Sequence, residues 1–147
     1  MSQNKTPVEH RILEAIGRGI WRLFGGGRGR SGVGGGNGLD LDQNRQKWGE
    51  IEEMMKLGGP ARYKQAVIEA DKLLDVTLKE KGFSGEKMAD RLRSAQKSML
   101  KEAYNAAWQA HKIRNQIVHE SSAEIMDYHA KEAVENYKKA LNNLGGL

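Results

Sequence analysis

The chain contains no cysteine, which excludes disulfides, thiolate metal sites and cysteine nucleophiles together. It has two prolines in 147 residues and few aromatic side chains, alongside abundant Ala, Glu, Lys, Leu and Gln. That is the composition of a helical protein. No stretch alternates apolar and polar residues with period two over a useful length, so no strand is predicted. An uninterrupted apolar run of the length a secretory signal requires, roughly 7 to 15 residues, is missing as well. What remains is a length suited to a single domain with a short appendage.

The formal charge of +5 is unevenly distributed. Residues 1–38 hold Lys5, Arg11, Arg18, Arg22, Arg28 and Arg30 against Glu9 and Glu14, six basic groups against two acidic ones. Nearly all of the excess therefore sits in the N-terminal arm, and the body is close to neutral.

Within that arm, Thr6, Pro7 and Glu9 form a capping box with proline at the first helical position, which predicts a helix start. Ile12, Ile16, Ile20, Trp21 and Phe24 supply an apolar face, and the arginines fall largely on other faces, so residues 1–24 are expected to be an amphipathic helix. Two occupants of that face fit, a membrane surface or a partner helix reached through residues 6–24. Its length of about 17 residues and its interior charges make a poor transmembrane span. Residues 25–38, "GGGRGRSGVGGGNG", contain too little apolar surface to order themselves and are expected to be a flexible linker. The formal G-x-G-x-x-G within them lacks the strand and helix on which dinucleotide binding depends.

From Leu39 to Leu147 the pattern is helical. A first body helix is expected over Asp42–Leu57, ended by Gly58 and Gly59, and a second from Pro60 to before Gly82. Ser84 is expected to cap a third helix carrying Met88, Leu92, Ala95 and Met99, followed near Leu100 by a fourth that runs to about Val118. A capping box from Ser121 to Glu124 starts the last helix, with Met126, Ala133, Tyr137, Leu141 and Leu144 inward. The fold class is all-α, a bundle of four to five helices.

The chemistry concentrates in the fourth body helix. Ala103, Ala106, Ala107, Ala110, Ile113 and Ile117 share one face, and Arg114 projects into its middle. A guanidinium stays charged, so it requires an acidic partner, a cleft or an interface; Glu69 and Asp71, which flank the apolar stripe of the second helix, are the candidate partners. His111, Asn115 and His119 fall at i, i+4 and i+8 and make a polar ladder along the rim. Arg114 and His119 differ by about 140° on an ideal helix, so one protomer would not easily aim both at one atom. Either a two-fold axis or an early helix end would bring them together. The histidines His111 and His119 lie roughly 12 Å apart with no carboxylate to complete a set, so no metal site and no cofactor is predicted.

The string "RNQIVHE", an arginine followed by a polar residue and then a histidine at a helix end, resembles the R-x(4–6)-H motif of the HEPN superfamily. "VIEADKLLDVTLKEKGFSG" is similar to the acidic-apolar helix that precedes the motif helix in related bacterial domains, so the resemblance covers roughly residues 40–144. It implies a HEPN-like bundle that forms homodimers and, in active members, cleaves RNA without metal at the dimer interface. By position, Arg114 would polarise the scissile phosphate, His119 would act as general acid or base, and Asn115 would orient one of them. Two functional expectations follow. The first is a dimeric interaction module held by its N-terminal helix to a membrane surface or partner, in the cytoplasm and in association with nucleic acid. The alternative is a metal-independent endoribonuclease using Arg114 and His119.

Overall fold

The computed structural model describes residues 39–119 and 127–147. The predicted N-terminal helix and linker, and the predicted capping box at Ser121–Glu124 with Met126, lie outside these. Among the described residues the chain forms five α-helices and no strand: α1 (Leu41–Leu57), α2 (Pro60–Glu80), α3 (Met88–Ala95), α4 (Lys101–His119) and α5 (Asp127–Asn143), with a 3-10 turn at Gln96–Ser98. This is the all-α bundle that the periodicity predicts. None of these helices is long and apolar enough to cross a membrane.

Local chemistry sets the boundaries. Asp40 accepts from the Gln43 N–H at 3.0 Å and caps α1. Gly58 and Gly59, both at positive φ, end α1 and turn the chain into Pro60, the first residue of α2. The third helix differs from expectation. It begins at Met88, after Lys87, rather than at a Ser84 cap. Ser84 instead accepts, through its carbonyl, from Ser94 Oγ at 2.7 Å, so its segment lies alongside the helix and does not open it. Gly85 makes that path possible, because a Cβ there would stand 2.6 Å from the Arg91 nitrogen and 2.7 Å from Asp90 Cβ.

The core is built from the predicted stripes. Ile51 from α1, Val67, Ala70 and Leu74 from α2, Leu92 from α3 and Leu141 from α5 are all buried and belong to one contiguous cluster. The alanines of α4 at 103, 106, 107 and 110 are buried, as are Ala130, Ala133 and Ala140 of α5. Small residues on both sides let these two helices share the most extensive interface in the bundle. A buried bond from Asn44 Nδ2 to the Gly146 carbonyl, 3.0 Å, ties α1 to the turn after α5.

Candidate functional site

Asp71 stands near the middle of α2 with 5% of its surface exposed, where an isolated carboxylate would be costly. Three polar groups gather on it. The Tyr137 hydroxyl of α5 donates to Oδ1 at 2.7 Å, His111 Nδ1 of α4 lies 2.8 Å from the same oxygen, and Arg114 Nε lies 3.4 Å from Oδ2. Burial, followed by the charge and hydrogen bond of Asp71, pushes the Tyr137 phenol far above its ordinary range, with Arg114 opposing. The phenol thus stays protonated and serves as a donor.

Arg114 is held by more than this ion pair. Among the described residues its guanidinium makes one hydrogen bond, from Nη1 to Asn115 Oδ1 at 3.0 Å, while Nε is buried without a hydrogen-bond partner. Its side chain keeps 29% of its surface exposed. A guanidinium carries five donors in a planar fork, so Arg114 retains capacity for an incoming anion.

That capacity faces a cleft of about 510 Å³ lined by Asp71, Lys72, His111, Arg114, Asn115 and His119. Lys87, which precedes α3, Met88 and Ala89 in its first turn, and Asp75 of α2 complete its wall. Arg91 Nη1 donates to Asp75 Oδ1 at 2.8 Å and fastens α3 beside the cleft. The wall facing α4 is therefore set by the same turn that Gly85 permits.

The structure brings together Arg114, Asn115, His119, His111 and Asp71, all of which the sequence singles out. The helix does not end before His119, since α4 extends through that residue. Both Arg114 and His119 nonetheless line one cleft of a single chain, because side chains about 140° apart can enter an opening from two sides even where they cannot meet head-on. Glu69 is a correction. It is buried at 3%, but it accepts from Gln65 Nε2 at 2.6 Å and Lys72 Nζ at 3.0 Å, and Asp71 alone of the two acids pairs with Arg114. Ile12, Ile16, Ile20, Trp21 and Phe24 lie outside the described residues.

Sequence reasoning missed the role of Tyr137, which it reads only as an inward apolar side chain. A signal was available. A fully buried tyrosine needs an acceptor for its hydroxyl, and the acids flanking the stripe of α2 are the ones at hand. The pairing of His111 with Asp71 had no comparable signal, since it depends on how α2 and α4 face each other. Among the described residues no three histidines or carboxylates gather to hold a metal ion.

The site defines an all-α bundle with a mixed-charge cleft in which one arginine and two histidines converge. No family model, curated protein or solved structure matches the chain.

Proposed function

We propose that this chain binds RNA in the Arg114 cleft and cleaves its phosphodiester bonds without a metal ion, working as a pair of identical copies. The supporting observation is the convergence of Arg114, Asn115 and His119 on one accessible cleft, together with the likeness of "RNQIVH" to the HEPN motif. Cleavage within RNA proceeds when the ribose 2′ oxygen bonds to the neighbouring phosphorus and the bond to the 5′ oxygen breaks. Negative charge builds on the phosphoryl oxygens, and the departing oxygen needs a proton. Arg114 supplies for the first requirement a permanent cation whose remaining donors make no hydrogen bond to a described residue. His119 supplies the proton for the second, and Asn115 fixes the guanidinium through its 3.0 Å bond.

One observation favours a second reading, an interaction module that binds without cutting. The Asp71 carboxylate commits part of the charge of Arg114 to an internal ion pair. The N-terminal arm would serve either reading as a tether to a membrane surface or a partner helix.

The test is cleavage of single-stranded RNA by the full chain in the presence of a chelator. Wild-type protein should cut, and Arg114→Ala and His119→Ala should each lower the rate by roughly 10² or more while keeping the helical circular dichroism. Wild-type protein that binds RNA but leaves it intact would replace the ribonuclease reading with the interaction module.

A further inference from the structure

The proposed reaction leaves one proton unassigned, the one on the attacking 2′-hydroxyl. We infer that His111, oriented by Asp71, is the general base that accepts it. This rests on the ribonuclease reading and adds a second catalytic histidine from within the same chain.

The argument begins at the carboxylate. The Tyr137 hydroxyl donates to Asp71 Oδ1 at 2.7 Å, and burial holds that phenol in its protonated form. Arg114 approaches the other oxygen as a permanent cation. A carboxylate receiving these two groups is the anionic form, an acceptor with no proton to give. His111 Nδ1, 2.8 Å from Oδ1, must then carry the hydrogen of that bond. The neutral ring that satisfies this geometry has its lone pair on Nε2.

The ring itself is placed for the task. His111 lines the same cleft as Arg114 and His119, one helical turn before Arg114 on α4. Its Nδ1 is anchored behind by Asp71, and Trp108 meets it edge-on with ring centres 6.1 Å apart. A histidine held on one nitrogen by a buried carboxylate, with no hydrogen bond to the other nitrogen among the described residues, is the arrangement in which a carboxylate sets the tautomer of a base.

The step balances. Nε2 takes the 2′-hydroxyl proton as the 2′ oxygen bonds to phosphorus. The bond from phosphorus to the 5′ oxygen breaks, and that oxygen takes a proton from His119. A 2′,3′-cyclic phosphate and a 5′-hydroxyl result, with His111 protonated and His119 neutral. Asp71 is a positioning residue, since it acts on the ring and does not touch the substrate.

Two measurements test the assignment. The first compares an RNA dinucleotide with uridine 3′-(p-nitrophenyl phosphate), whose leaving group needs no proton. On the dinucleotide, His111→Gln and His119→Gln should each lose roughly 10²-fold or more. On the activated ester, His119→Gln should recover close to wild-type rate, whereas His111→Gln should remain impaired to the same degree. The second is the nitrogen-15 spectrum of His111 in unliganded protein, which should show hydrogen on Nδ1 in the wild type and a mixture of tautomers in Asp71→Asn.

Wild-type rates for His111→Gln on both substrates, or hydrogen on Nε2 in the wild-type spectrum, would overturn the base assignment and leave the ribonuclease reading standing. Wild-type protein that cleaves neither substrate would overturn that reading and the base assignment with it.

Discussion

Glu69 and Asp71 are two residues apart on α2, equally hidden from solvent, and surrounded in opposite ways. Glu69 takes its partners from its own helix, Gln65 one turn before and Lys72 three residues after. Lys72 remains half in water, with 55% of its side chain exposed. Asp71 takes its partners from two other helices, His111 and Arg114 on α4 and Tyr137 on α5. Local partners satisfy a charge wherever the helix lies, whereas distant partners satisfy it only when the fold is complete. Burial alone does not separate a structural carboxylate from one that organises a site; the sequence distance of its donors does.

The largest expected effect tests that contrast directly. Asp71→Ala leaves Tyr137, His111 and Arg114 without their shared acceptor and should cost about 3–5 kcal/mol in urea unfolding. Glu69→Ala should cost about 1 kcal/mol or less, because Lys72 and Gln65 can turn to water. Equal losses for the two would erase the distinction.

A smaller effect separates the partners of Asp71. Tyr137→Phe removes one of three and should cost about 2 kcal/mol, with no change in the helical spectrum. A loss as large as that of Asp71→Ala would mean that the tyrosine bond, and not the ensemble of donors, holds the carboxylate.

On the Glu69 side the sign reverses. Burial raises the Glu50 carboxyl above its usual 4.5, and Glu69 adds to this while Lys47 opposes it; among the described residues Glu50 Oε2 is buried without a hydrogen-bond partner. A carboxyl raised in the folded state contributes fully below its unfolded pKa and loses that contribution as pH rises through the folded value. Glu50→Gln should therefore stabilise at pH 7, by at most about 1 kcal/mol, and the gain should fade as pH drops toward 4. A gain that is independent of pH would point to packing instead of charge.

The smallest effect belongs to Glu52, whose side chain is 52% exposed. Bonds from Lys138 and Trp48 lower its carboxyl below 4.5, so its contribution is present above 4.5 and lost as pH falls through the lower folded value. Glu52→Gln should cost only about 0.3 kcal/mol at neutral pH, and added salt should shrink that cost.

Much of this organisation was legible in the chain. The ends of α1 and α2 follow from Gly58, Gly59 and Pro60, and the alanine face of α4 follows from its spacing. The need of Arg114 for an acid was equally readable, since a guanidinium on an apolar face has few alternatives. Which acid answers was not, because Glu69 and Asp71 flank one stripe at similar angles and only the placement of α4 and α5 selects between them. Ser84 misled for a related reason. A serine before an apolar run looks like a helix cap, yet its segment is held by Ser94, ten residues on, a contact that no local pattern encodes.

The buried clasp from Asn44 to the Gly146 carbonyl joins residues 102 apart, and it has a consequence for synthesis. A ribosome delivers α1 first and α5 last. Until α5 emerges, the Asn44 amide lacks this acceptor, Asp71 lacks the Tyr137 hydroxyl, and the alanine face of α4 lacks the helix with which it shares its most extensive interface. The contacts of α1 and α4 with α2 can form earlier, but the core cannot be completed helix by helix. It closes late, in one step, when the final two turns of α5 and the glycines behind them leave the exit tunnel.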